Sequence, residues 1–196
     1  MSTVEQVLQD LEIHGFSVIK NVIEAPELLK ISGLFNQEFT PAKVGKVDGA
    51  QRVEEVRGDL THWLDPANPP KELSSIMNLL GEIKASLNSQ LFMGLKDFEC
   101  HLSKYPAGTF YKKHTDRFEK DSSRSISFIF YLHEEWTNTD GGELLLYNKT
   151  NEVLEMILPK PGSMVIFLSE KFPHEVKKCL KERRSLTGWM HTKLLT

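Results

Sequence analysis

The chain of 196 residues is poor in cysteine, with only Cys100 and Cys179. Two thiols cannot form the several disulfides that stabilise small secreted domains, so we expect both to be free and buried. No apolar run approaches about 18 residues, the length that a membrane-spanning helix needs. The first residues have neither the basic region nor the apolar stretch of a secretory signal peptide. These absences favour a cytoplasmic protein with no membrane partner.

Neither sign of charge dominates the sequence. There are 24 Lys and Arg residues against 27 Asp and Glu residues, which gives a net charge of −3. Because nucleic-acid-binding proteins usually present a basic face, this balance argues against a nucleic-acid partner. Apolar residues make up 40% of the chain and charged residues 26%, as is usual for a globular protein. We expect one domain over residues 1–196 and a monomer.

The first half of the chain has helical patterns. Apolar residues recur at spacings of three and four over residues 3–13 and, most regularly, over residues 71–92. Pro26 suits the first turn of a further helix, whose buried side would extend to Phe35. Residues 40–56 contain two glycines, alternating charges and few large apolar groups. We interpret them as a mobile loop, which is either a plain surface connection or a flap over a substrate.

The second half changes to short strands separated by Gly, Pro, Asn and Asp. Eight such strands at regular spacing predict a sandwich or jelly roll. They are expected at residues 97–105, 109–114, 125–133, 142–148, 152–158, 163–168, 173–178 and 184–193. The predicted fold is α+β and mainly β. A jelly-roll (double-stranded β-helix) core over residues 94–196 would be supported by helices in residues 1–93, which also carry the loop.

Three residues have the chemistry of a metal centre. His114 and Asp116 are two positions apart, and on a strand such side chains leave from the same face. His174 follows downstream, after Phe172 and Pro173. Two histidines and one carboxylate with open positions suit non-haem Fe(II). A His-x-Asp triplet alone often arises by chance, and His114 could equally be a surface residue beside its lysines.

An arginine pair follows, Arg183 and Arg184. A buried arginine needs an anion, and its planar fork suits a carboxylate. A shift of one residue in strand register would exchange the two arginines and turn the other one inward. We predict that Arg184 is the buried one, because Leu186 and Gly188 share its parity along the strand.

Several separated motifs occur together in one order. They are Tyr-x-x-His-x-Asp, Gly-Gly-Glu-Leu, Pro-His-Glu-Val and Arg-x-x-Leu-Thr-x-Trp, with Val-Arg-Gly-Asp upstream. In this order the chain resembles the 2-oxoglutarate- and Fe(II)-dependent dioxygenases, and within them the prolyl 4-hydroxylases of the hypoxia-inducible-factor type. The sequence stops soon after Trp189, which resembles the compact bacterial members more than the animal ones.

The resemblance implies a role for each matching residue. It implies that Fe(II) is held by His114, Asp116 and His174, with no catalytic residue beyond the metal centre. The co-substrate 2-oxoglutarate would be bound by Arg184 and Tyr131 at its distal carboxylate, with Tyr105 and Thr187 beside it. The substrate proline would be faced by Tyr111, Arg124 and Trp189. The loop around residues 43–56 would be the flap that folds over the substrate.

The expected activity is 4-hydroxylation of a prolyl residue in an exposed loop of a protein substrate. Dioxygen would be consumed, succinate and CO₂ released, and ascorbate used as a further cofactor. A hydroxylase of a small molecule or a free amino acid is the alternative. A nucleic-acid demethylase is disfavoured by the charge, and a non-enzymatic binding protein would not need an open metal face.

Overall fold

The computed structural model of the protein describes residues 1–43, 56–65, 67–116 and 123–194. These residues form three α-helices and eleven β-strands. The helices are α1 (Thr3–Ile13), α2 (Ala25–Ser32) and α3 (Ser74–Leu91). The strands are β1 (Phe16–Ile19), β2 (Thr40–Pro41), β3 (Leu60–Trp63), β4 (Asp97–Tyr105), β5 (Tyr111–His114), β6 (Arg124–Tyr131), β7 (Leu144–Tyr147), β8 (Val153–Ile157), β9 (Met164–Leu168), β10 (His174–Val176) and β11 (Arg183–His191).

The predicted helices are confirmed, with small differences at their ends. A capping box starts α1, because Ser2 accepts from the Glu5 N–H while the Glu5 carboxylate accepts from the Ser2 N–H. The first turn of the predicted 71–92 helix is instead a 3₁₀ helix at Lys71–Leu73. A second 3₁₀ helix, Gly33–Asn36, follows α2. It carries Leu34 and Phe35, the last buried apolar residues of the pattern predicted for the second helix.

All strand pairs of the two sheets are antiparallel. The larger sheet has the order β1-β9-β6-β11-β4-β3-β2, and the smaller one has the order β5-β10-β7-β8. All eight strands predicted for the second half are present, each within two residues of its expected ends. The prediction of a mainly β protein with few helices is therefore confirmed.

The larger sheet is covered on both faces. Its outer face packs against the helices, where Leu80 of α3 belongs to one apolar cluster with Leu102 and Leu186 of the sheet. Its inner face turns toward the smaller sheet, and Ile129 clusters there with Leu146. Burial on both faces explains why the central strands are nearly continuous apolar runs rather than alternating ones.

Outside these elements, several expectations have definite outcomes. Arg57 and Asp59, which belong to the Val-Arg-Gly-Asp motif, form an ion pair, with Nε and Nη2 donating to the two carboxylate oxygens at 2.8 and 2.6 Å. Cys100 and Cys179 are both free and buried, as predicted. Most of the predicted flap, residues 44–55, lies outside the described residues. Within the described parts of the chain, no helix has both the length and the apolarity to cross a membrane.

Gly188 on β11 provides a test of the packing around that strand, and Gly81 in α3 provides the comparison. A Cβ on Gly188 would lie 2.3 Å from the Glu99 carbonyl oxygen and 2.4 Å from the Phe128 ring. We expect Gly188→Ala to lower the free energy of unfolding by more than about 2 kcal/mol, because neither neighbour can withdraw. Gly81, inside α3, has no atom within 4 Å of such a Cβ. Gly81→Ala should raise stability by about 0.5–1 kcal/mol. Urea denaturation of both variants measures the difference, and equal effects would contradict this account.

Candidate metal centre and its cavity

The smaller sheet brings the two predicted metal-binding histidines together. His114 ends β5 and His174 begins β10, and the two residues are direct partners in the antiparallel pairing. Asp116 lies beside them, with one carboxylate oxygen 3.5 Å from His114 Nε2 and the other 3.5 Å from His174 Nε2. One ligand atom from each residue lies within 4.8 Å of the other two. These separations allow a single cation to contact all three side chains.

Asp116 reaches the centre by a route that the sequence does not predict. We expected His114 and Asp116 to share one face of a continuous strand. Instead β5 ends at His114, and Asp116 lies in a bend two residues later. Its carboxylate is buried and turned inward by a hydrogen bond from Ser127 on β6, at 2.7 Å.

The outer nitrogens of both imidazoles are occupied. Nδ1 of His114 lies 2.8 Å from the Lys112 carbonyl oxygen, and Nδ1 of His174 lies 3.0 Å from the Phe172 carbonyl oxygen. A carbonyl can only accept, so each Nδ1 donates, and in a neutral imidazole Nε2 then carries the lone pair. Metal-binding histidines are commonly oriented in this way. The set of donors therefore fits a divalent transition metal, and two histidines with one carboxylate are typical of non-haem Fe(II) sites.

The charges at the centre also suit a cation. Burial alone would raise the pKa of Asp116, but the adjacent His174 and His114 hold it well below its usual range. Burial lowers the pKa of His174 to about 4. At neutral pH the centre thus offers an ionised carboxylate and a neutral imidazole, which are the forms that bind metals.

Tyr111 forms the wall beside the centre. Its ring stacks on the His114 ring with centroids 3.6 Å apart, and the Arg57 guanidinium lies 4.3 Å from its other face. Arg57 is fixed in turn by Asp59. The order Arg57, Tyr111, His114 is therefore one continuous stack from the cavity mouth to the candidate metal.

The prediction that Arg184 is the buried arginine is wrong. Arg183 is the buried residue, 1% exposed, and it lines the cavity between the sheets. Arg184 points to the opposite face, where it is partly exposed, pairs with Glu182 at 2.7 Å and lies over Phe35. The cause is strand parity, because Arg183 shares the inward face of β11 with Thr187 and Trp189.

The guanidinium of Arg183 has the surroundings of an anion site. It lies 4.8 Å from the Tyr131 ring and 5.1 Å from the Tyr105 ring. Its Nε and one terminal nitrogen, like the Tyr131 hydroxyl, have no hydrogen-bond partner among the described residues. A buried charge without a partner is costly, so these atoms indicate an anionic ligand.

Gly142 makes room for this guanidinium. Its φ is +69°, and a Cβ there would lie 3.1 Å from Arg183 Cδ and 3.1 Å from the Trp136 ring. The Gly-Gly-Glu-Leu motif therefore does more than form a tight turn, because its second glycine leaves space for the side chains of Arg183 and Trp136.

The cavity between the sheets has a volume of about 510 Å³, within the range of small-ligand sites. Most of the predicted site residues line it: His114, Asp116, His174, Tyr105, Thr187, Tyr111, Arg124 and Trp189. Tyr131 does not line the cavity, but it is fully buried and its ring lies 4.8 Å from the Arg183 guanidinium. Sequence reasoning gave no role to His101, which also lines the cavity and contacts the rings of both Trp63 and Trp189.

Arg124 is held rigidly at the mouth. Its guanidinium lies 3.7 Å from the centre of the Trp189 ring and donates twice to one carboxylate oxygen of Glu99, at 3.0 and 2.6 Å. Trp63, beside them, lines the cavity while 52% exposed. An exposed tryptophan at a cavity mouth is suited to contact a ligand.

Comparisons with known proteins agree with this chemistry. Residues 100–191 match the 2OG-Fe(II) oxygenase superfamily. A solved prolyl-4-hydroxylase from Pseudomonas putida is similar over 98% of this chain and 100% of its own, with 33% identity and a TM-score of 0.84. A prolyl hydroxylase from Trichoplax adhaerens, solved with a hypoxia-inducible-factor peptide fragment, is similar over 96% of this chain and 89% of its own, with 26% identity and a TM-score of 0.80.

Curated relatives are longer than this chain. The hypoxia-inducible factor prolyl hydroxylase of Caenorhabditis elegans is 29% identical over 94% of this chain, and the match covers 28% of that protein. The chain spans less than half the length of each of the curated relatives compared.

Metal binding can be tested without any substrate. We expect Mn²⁺ at about 100 times its dissociation constant to stabilise the protein by about 2.7 kcal/mol, because the folded state alone assembles the three ligands. His174→Ala should lose nearly all of this effect. His14→Ala, which removes an exposed histidine at the end of α1, should keep it. Thermal unfolding with and without Mn²⁺ measures both, and an undiminished shift in His174→Ala would refute the centre.

Proposed function

Since the chain belongs to the 2OG-Fe(II) oxygenase superfamily, we propose that it hydroxylates a prolyl residue of a protein at the 4-position. The co-substrates would be 2-oxoglutarate and dioxygen, and the products would include succinate and CO₂. The observation that carries the proposal is the 33% identity to the Pseudomonas putida prolyl-4-hydroxylase over that chain's full length. The triad and the buried Arg183 guanidinium, which line one cavity, support it.

The metal would be held by His114, Asp116 and His174. Bound there, Fe(II) supplies oxidative chemistry that couples decarboxylation of the keto acid to insertion of oxygen into a C–H bond. The protein contributes orientation and exclusion of water. Its outer hydrogen bonds keep both Nε2 atoms ready as ligands, and Tyr111 covers one side of His114.

The distal carboxylate of 2-oxoglutarate would pair with Arg183. The planar fork suits a carboxylate better than an ammonium would, and burial strengthens the pair. Burial also raises the pKa of Tyr131, so its hydroxyl stays protonated and can donate to the same carboxylate. Tyr105 and Thr187 line the path from Arg183 toward the metal.

The substrate proline would enter past Tyr111, Arg124 and Trp189. Arg124 is already bound to Glu99, so it offers a fixed edge rather than a free charge. The flap over residues 43–56 belongs to the same proposal, as a segment that covers the bound peptide.

Several wider features go with this function. We infer that the two facing sheets form a double-stranded β-helix and that residues 1–196 act as one domain, because the outer cluster joins the helices to the sheet. A cytoplasmic location, a monomeric state and the use of ascorbate to keep iron ferrous are also proposals.

Hydroxylation should be measured with the Fe(II)-loaded protein. We expect proline-containing peptides from a synthetic library to stimulate 2-oxoglutarate turnover and to gain one oxygen atom on proline, detected by tandem mass spectrometry. Matched peptides with alanine in place of proline, and the His174→Ala protein, should give neither signal. Hydroxylation of free proline without any reaction of the peptides would favour the small-molecule alternative.

The two adjacent arginines make a matched pair for the co-substrate. Arg183→Met should cost about 2–5 kcal/mol of 2-oxoglutarate binding, the usual effect of removing one member of a buried charge pair. Arg184→Met removes only a partly exposed ion pair with Glu182 and should cost less than about 1 kcal/mol. The KM for 2-oxoglutarate and the thermal shift that it induces measure the difference. A larger loss of 2-oxoglutarate binding in Arg184→Met than in Arg183→Met would show that Arg184 binds the co-substrate.

A further inference from the structure

Each of the three candidate metal ligands has an outer hydrogen-bond partner among the described residues. For His114 and His174 the partners are backbone carbonyls, which no substitution removes. For Asp116 the partner is a side chain, the hydroxyl of Ser127, at 2.7 Å from the carboxylate. The orientation of the anionic ligand therefore depends in part on a residue that can be changed, together with the nearby Trp189, whose side chain helps to lower the pKa of Asp116.

Ser127 is itself part of a buried pair. Its hydroxyl oxygen lies 2.8 Å from that of Ser169, which directly follows β9. Ser127 is 2% exposed and Ser169 is fully buried. The two strands are neighbours in the larger sheet, and the pairing of Ser127 with Phe167 brings the two serines together.

The direction of these hydrogen bonds follows from the carboxylate. Ionised Asp116 can only accept, so Ser127 must donate its single proton to it. The Ser127 oxygen is then free to accept, and Ser169 must be the donor to it. Hydrogen bonds that run in one direction strengthen one another. Ser169 therefore strengthens the hydrogen bond that Ser127 donates to Asp116.

The position of Ser127 is otherwise unfavourable for a hydroxyl. It lies within β6 between Ile126 and Phe128, both fully buried, in a strand where an apolar side chain would pack well. Burying a hydroxyl costs free energy unless its partner repays it. The partner here is the carboxylate of the metal centre rather than a group of the fold alone.

We propose that Ser127 and Ser169 are positioning residues for the metal, and that they hold the Asp116 carboxylate in its metal-binding orientation before the metal arrives. This inference rests on the metal centre of the proposed function and not on its prolyl substrate. If the protein binds metal at the triad but hydroxylates no proline, the proposed function fails and this inference still holds.

The test is metal affinity, measured with Mn²⁺ by competition against a chelator. Ser127→Ala should weaken binding about 10- to 100-fold, the usual effect of removing an outer partner of a metal ligand. Ser127→Thr, which keeps the hydroxyl, should recover most of the affinity. Ser169→Ala should weaken binding by a smaller factor, and should add nothing in the Ser127→Ala background, because Ser169 acts only through Ser127.

A control of the same chemistry lies elsewhere in the chain. Ser17 on β1 is buried and donates to the Asp10 carboxylate at 2.6 Å. Ser17→Ala should leave the Mn²⁺ affinity unchanged. The visible spectrum of the Co²⁺-loaded protein, which reports ligand geometry, should change in Ser127→Ala and not in Ser17→Ala.

Three results would overturn the proposal. The first is a Ser127→Ala protein that binds Mn²⁺ as tightly as the parent. The second is an equal loss in Ser127→Thr and Ser127→Ala, which would indicate disturbed packing. The third is independent, additive losses from the two serines. Urea denaturation of the metal-free variants separates each of these from a general loss of folding.

Discussion

The antiparallel pairing of His174 with His114 is the contact on which the rest of the site depends. It joins β10 to β5 in the smaller sheet and places two imidazoles at one edge of the space between the sheets. The larger sheet supplies Ser127, which contacts Asp116, and the cavity-lining residues Trp189 and Arg183. A slip of one residue in this pairing would move one imidazole to the outer face of the smaller sheet, and no other contact could replace it.

Strand parity explains both what the sequence predicted well and where it failed. Helices and strands were predictable because their apolar periods are regular, and His114, Asp116 and His174 were predictable as residue types. Arg184 was preferred because Leu186 and Gly188 share its parity, but those residues face the helices, where Leu186 joins the outer cluster. Thr187 and Trp189 were assigned to the cavity at the same time, and they share the parity of Arg183. The motif Arg-x-x-Leu-Thr-x-Trp also begins at Arg183 when it is counted.

Other parts of the site had no local signal to find. Asp116 enters from a bend, so its direction is set by Ser127, eleven residues later in the chain. Ser169 contacts Ser127 across 42 residues of separation. His101 carries no motif, and only the pairing of β4 with β3 and β11 brings it against two tryptophans in the cavity wall. Contacts of this kind come from sheet order, which residue patterns do not specify.

The distribution of charge in the cavity decides where an anionic co-substrate can bind. Three arginines among the described residues line it. Arg57 is neutralised by Asp59, and Arg124 by Glu99, so neither attracts an anion strongly. Arg183 is the most deeply buried of the three, and no carboxylate among the described residues pairs with it. Since a desolvated charge gains most from a partner, a carboxylate that enters the cavity is favoured at Arg183. A ligand that also carries a metal-chelating group could then contact the triad, because the triad lines the same cavity.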